Sequence, residues 1–236
     1  MVIEDGSPFR QLPAALNRKQ VLFLDGILYS VEMLDLAHLR LQRVLLERTQ
    51  RQAEEEPIEH QLMSAAFQDA WTIVDSLHRL RGLLAQMPGV KQNSPPLQLF
   101  RRQTAIFEDL RNGVQHLNNH IDLLVAQNLP TLGVLSWVAF LDPTAREFRL
   151  GAMMAGTVFV GASLPMVNPM GREVAPPIDL ITLTAHGHQV NLSEAMTRVE
   201  QLVRRMESEL RAQFKAPPQP PDELRVRLRL SEPTQR

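Results

Sequence analysis

Three long stretches of the chain carry apolar residues at helical spacing. In the first, about 13–54, Leu24, Ile27, Val31, Leu34, Leu41 and Leu45 recur at helical spacing and predict one buried stripe. His38 falls on that stripe, where a lone imidazole reads as a packed core residue rather than a ligand. A second helix is predicted over about 57–87, with Pro57 in its first turn and Pro88-Gly89 as its stop. Its stripe is Leu62, Ala66, Ala70, Ile73, Leu77, Leu80, Leu84 and Met87. After a VKQNSPP loop, a third single helix is predicted over about 96–127, with Phe100, Phe107, Leu110, Val114, Leu117, Ile121 and Leu124 facing the core.

The texture changes after Pro130. LGVLSWVAFLD and REFRLGAMMAGTVFVGASL read as a hairpin, with Asp142-Pro143 as the turn and a bulge or bend at a glycine. IDLITLTA alternates as a further strand, and HGHQVNL turns out of it. A last helix is predicted to about Phe214, with Ser193 as its N-cap. The expected fold class is therefore α+β, mainly α: a bundle of long helices with a small antiparallel sheet inserted before the last helix. The domain reading is an arm at 1–12, one helical-bundle domain at 13–214 with its sheet at about 131–191, and a Pro-rich linker with a strand or tail at 215–236.

Composition narrows the chemistry. The chain has 236 residues, a formal net charge of -1 and no cysteine. Disulfides, thiolate zinc sites and cysteine nucleophiles are excluded. No uninterrupted apolar run approaches the roughly 20 residues of a membrane span, and the N-terminus does not read as a signal peptide. A cytoplasmic protein without a membrane partner is expected. Gly151, Gly156 and Gly161 are not followed by the GK[ST] of a phosphate loop, and Ser136 and Ser163 lack a nucleophile-elbow pattern, so no cofactor is expected.

The chemistry-bearing segment is Arg111-Asn112-Gly113-Val114-Gln115-His116. A helix turns about 100° per residue. With Glu108 at zero, Gln115 and Asn119 lie within about 20°, Asn112 near 40°, His116 near 80° and Arg111 near -60°. These residues form a polar band opposite Leu110, Val114, Leu117 and Ile121. Arg111 and His116 are its two edges, about 140° apart, and meet only if the helix distorts at Gly113 or a second subunit joins them. Gly costs about 1 kcal/mol against Ala inside a helix, so Gly113 asks for a reason.

Arg111, Asn112 and His116 resemble the hallmark of the HEPN superfamily: Arg, four to six residues, then His, often with a polar residue directly after the Arg. Arg111–His116 is the only such spacing in the chain. The resemblance covers the helices, roughly 13–127 and 192–214, and leaves the sheet unexplained. It implies a dimeric helical bundle and metal-independent RNA cleavage, in which a ribose 2′-OH attacks the neighbouring phosphate. His116 would be the general acid or base, Arg111 would neutralise the charge on the phosphate, and Asn112 would orient the His or bind the phosphate. Glu108, Gln115 and His78 would support them. A defence or toxin system is the implied setting.

Other clusters have plainer readings. His186-Gly187-His188 reads first as a turn with glycine at its tip and second as the start of a metal site. Asp69, Asp75, His78, Arg79 and Arg81 make the second helix polar on one side, with Asp75–Arg79 as an i,i+4 ion pair. The alternation ELRVRLRL sets Leu224, Val226, Leu228 and Leu230 opposite Arg225, Arg227 and Arg229, as an edge strand with a charged face would. Two functions stay open: a HEPN-like ribonuclease acting on RNA, and a non-catalytic helical interaction or regulatory protein with a protein partner. Both expect a homodimer through the polar-banded helix.

Overall fold

The computed structural model describes residues 1–53, 60–142, 147–157 and 165–213. Outside them lie the readings on Pro57, Pro143, Gly161, Ser163, the 215–223 linker and the alternating segment at 224–230. Six helices and four strands are described: α1 (Arg18–Ala53), α2 (His60–Gln86), α3 (Pro95–Gln103), α4 (Ile106–Gln115), α5 (Leu117–Gln127), β1 (Val134–Asp142), β2 (Glu147–Met154), β3 (Ile178–Ala185), β4 (His188–Asn191) and α6 (Leu192–Gln213).

α1 starts five residues later than Pro13. Asn17 and Gln20 cap it reciprocally: the Gln20 N–H donates to Asn17 Oδ1 at 3.0 Å, and the Asn17 N–H donates to Gln20 Oε1 at 3.1 Å. α1 and α2 pack along their lengths. Leu24, Ile27, Val31, Leu34, Leu41 and Leu45 meet Ala66, Ala70, Ile73, Leu77, Leu80 and Leu84 in one core, all buried as expected. Asp69 does not lie on a solvated face. It is buried and takes Nε and Nη2 of Arg40 on its Oδ1 at 3.0 and 2.6 Å, fastening α2 to α1. The N-terminal arm also joins this core through Ile3 and Phe9.

The segment 96–127 is three helices, not one. The first break falls at Thr104, whose hydroxyl turns back on the Phe100 carbonyl while Arg81 Nη1 donates to Thr104 Oγ1 and to the Arg101 carbonyl. The second falls at His116, which leaves helical geometry at φ -108° and ψ 32°. Asn112, Gly113, His116, Asn118 and Asn119 all rank low in helix propensity, so little local energy opposes a break here. Phe107 and Leu110 of α4 are buried as expected. Ile121 of α5 is exposed, contrary to the single-helix stripe.

The sheet is antiparallel with order β2-β1-β3-β4. The β1–β2 register shifts between Phe140 and Asp142, so that irregularity is not at a glycine. Gly151 has another role. A Cβ there would lie 2.2 Å from Trp137 Cε2, and Trp137 is fully buried with Nε1 donating to Thr49 Oγ1 at 2.9 Å. Glycine there makes room for an indole that ties the sheet to α1.

The sequence predicts a turn over HGHQVNL, and the structure forms β4 within it, at His188–Asn191. Ala185 pairs with His188 across His186 and Gly187, both at positive φ (52° and 78°). This is the two-residue hairpin that left-handed residues favour, with Gly187 in it as expected. Asn191, not Ser193, caps α6: the Glu194 N–H donates to Asn191 Oδ1 at 3.0 Å. Ser193 Oγ instead accepts the Ile181 N–H at 3.1 Å and holds α6 to β3. α6 packs on β3 and reaches α1 and α3, so it covers the sheet as well as completing the helical layer.

Candidate functional site

The polar band on α4 is exposed, as its angles require: Glu108, Asn112, Gln115 and His116 all face solvent. Its two edges go to different places. Arg111 points toward α2 and sets Nε 3.2 Å from Asp75 Oδ1. His116 stands at the α4–α5 break, its N–H still bonded to the Asn112 carbonyl at 3.1 Å. Among the described residues no hydrogen bond joins Arg111 to His116. The break turns the chain after His116 without bringing the imidazole to the guanidinium.

The imidazole that does accompany Arg111 is His78. Both line an open groove of about 550 Å³ between α2 and α4, with Asp75, Arg79 and Gln115 beside them and Phe23 of α1 at its floor. His78 is half-buried, and its Nδ1 has no hydrogen-bond partner. Burial first, then the Arg111 charge, pushes the His78 pKa below the usual imidazole value; Glu108 and Asp75 oppose this and Arg81 adds to it. At neutral pH His78 is thus a neutral base beside a cation. Asp75 pairs with Arg111 rather than with Arg79, whose Nη1 lies 3.5 Å from the Met33 sulfur. Arg81 is mostly buried and sits 3.6 Å from Glu108.

Gly113 has a tertiary reason. A Cβ there would lie 2.8 Å from His186 Cγ, so the β3–β4 turn, not a partner helix, occupies the space. The His186 ring lies 6.0 Å from that of His120, and neither of its nitrogens has a partner. Burial, with smaller contributions from His120 and His188, lowers its pKa. Among the described residues no group of three or more histidines and carboxylates is placed to hold a metal ion. No described helix is long and apolar enough to cross a membrane.

A second surface feature lies on α1. Leu22, Tyr29, Met33, Leu36 and Leu39 are 63, 62, 41, 54 and 44% exposed. Leu22, Tyr29 and Leu36 recur every seven residues, so the pattern was readable beside the core stripe. The chain matches no protein-family model, no curated protein and no solved structure.

Proposed function

We propose that this protein acts as a non-catalytic helical interaction protein, with the exposed face of α1 as its assembly surface. The observation that carries this reading is the apolar series Leu22, Tyr29, Met33, Leu36 and Leu39 on the longest helix. Scattered exposed apolar residues are ordinary, but Leu22, Tyr29, Met33 and Leu36 recur on one side of one rigid helix, with Leu39 about 80° from Tyr29 at its margin, and such a recurrence marks a contact surface. The test is the size of the untagged protein in extracts of the cells that make it. The wild type is expected to run well above the 26.8 kDa of one chain, and Leu22→Glu/Leu36→Glu at single-chain size. Wild type at single-chain size contradicts the reading.

The α2–α4 groove favours a second reading, a HEPN-like endoribonuclease of a defence or toxin system. Arg111 there would hold a phosphate after exchanging Asp75 for it, at little cost since an exposed ion pair is worth about 0–1 kcal/mol. His78 would take the proton of the attacking 2′-OH, a role for which a neutral imidazole is suited. His116 and Asn112 reach a phosphate only from a second chain. RNA degradation is the test, comparing wild type with Arg111→Ala, His78→Ala and His116→Ala. Loss with all three supports a composite site, loss without His116 dependence supports the groove alone, and no cleavage by wild type removes the reading.

A further inference from the structure

We infer that the partner on α1 is a second copy of this chain, laid antiparallel about a two-fold axis that passes beside Met33. This rests on the assembly-surface reading and adds the identity and direction of the partner. The α1 face holds more than its apolar centre. At about 100° per residue, Arg18, Leu22, Asp25, Tyr29, Met33, Leu36, Arg40, Arg43 and Glu47 all fall within about 40° of Tyr29. Tyr29, Met33 and Leu36 occupy the middle of this stripe, and charged residues flank them on both sides, with Leu22 among those on the N-terminal side.

The charges are arranged to meet a reversed copy. When the axis lies between residues 32 and 33, Tyr29 comes opposite Leu36 of the second copy. Arg18 then comes opposite Glu47, Asp25 opposite Arg40, and Arg43 opposite Leu22, one turn from Asp25. A parallel copy would instead set Arg18, Asp25, Arg40, Arg43 and Glu47 each against its own like charge, which is unfavourable. Isologous pairing through a self-complementary patch is what a two-fold axis requires.

The single chain leaves these charges available. Among the described residues Arg18, Asp25 and Arg43 have no ion pair within the chain. Arg40 is held by Asp69, and Glu47 by Arg51, yet both side chains remain about half exposed. Burial by the neighbouring helix surface already pushes the Asp25 carboxyl above the usual carboxylate range, so a cation brought beside it relieves an unfavourable position. Arg79 from α2 reaches the Met33 sulfur at 3.5 Å, and Met33 stays exposed.

The absence of cysteine makes the test clean, since any disulfide must come from an introduced residue. Met33→Cys and Leu22→Cys, both at exposed positions, are oxidised as purified full-length chains and run without reductant. In the antiparallel pair the two copies of residue 33 sit beside the axis, whereas the two copies of residue 22 are about 31 Å apart along it. Met33→Cys is expected to convert to a double-chain band and Leu22→Cys to remain a single chain. Efficient trapping through Leu22→Cys overturns the antiparallel arrangement. Failure of both variants to trap, with the purified wild type sedimenting as one chain, overturns the second copy as partner. That last result leaves the assembly-surface reading to the extract measurement, where a large species would mean a different protein on α1.

Discussion

Gly113 shows how a single residue can be conspicuous in sequence and explained only by the fold. A glycine inside a helix, on the side away from its polar band, signals that something approaches closely. Its neighbour is His186, from a hairpin turn far along the chain, and no local pattern links the two. Gly113→Ala gains about 1 kcal/mol of helix propensity but drives a Cβ to 2.8 Å from His186 Cγ. The net expectation is a loss of about 1–2 kcal/mol, because overpacking typically costs 1–3 kcal/mol. His186→Gly removes the Cβ and Cγ that the new methyl would meet and suits the positive φ at this position, so the double variant is expected to recover most of the loss in urea melts. An unchanged midpoint in Gly113→Ala would remove the packing account.

The histidines also set a pH dependence. His38, His78 and His186 are all held below the usual imidazole value, each chiefly by burial. The unfolded chain takes up these protons near pH 6.5, while the folded chain resists until lower pH. The unfolded state therefore binds more protons in that window, and stability falls as pH drops below about 6.5. His38 is the most buried of the three and has an unpartnered Nε2, with Asp35 and Asp179 only partly offsetting its burial. Urea midpoints at pH 7.5 and 5.5 are expected to lie closer together in His38→Leu than in wild type. An equal separation would assign the acid sensitivity elsewhere.

At the scale of elements, periodicity located the helices but not their interruptions. The α1 and α2 stripes are long and regular, and every core position predicted on α1 is buried. The third stripe was equally regular on paper. It is broken because Thr104 finds a better partner in Arg81, and because the run around His116 has low helix propensity to defend. Ser193 is the expected cap of α6, but Ile181 of β3, a tertiary partner, takes its hydroxyl and Asn191 caps the helix instead. The sheet carries a sharper constraint. Gly151→Ala would put a methyl 2.2 Å from a fully buried indole that cannot move without losing Thr49. A loss of about 3 kcal/mol or more is expected, at the upper end of overpacking costs, together with altered tryptophan fluorescence. A wild-type melt with wild-type emission would show that the strand relaxes instead.

At the scale of the whole molecule, the candidate site was legible as residue types and not as an assembly. Arg111, Asn112 and His116 are near in sequence, yet the residue that shares a groove with Arg111 is His78 from another helix. Helix phase alone foretold that Arg111 and His116 would diverge, and it could not foretell which element would face Arg111. The α1 face is the reverse case, since its heptad series is present in sequence and becomes meaningful only when the fold leaves it uncovered. With the core stripe buried against α2, a second apolar series is left uncovered among the described residues.

The central claim is that α1 is an assembly surface whose partner is another copy of the chain. Sedimentation equilibrium of the purified full-length protein measures this directly, beside Leu22→Glu/Leu36→Glu shown by circular dichroism to be folded. The account predicts wild type at twice the 26.8 kDa chain mass and the variant at the chain mass itself. Wild type at the chain mass across the micromolar range, or a variant that stays dimeric, would contradict it.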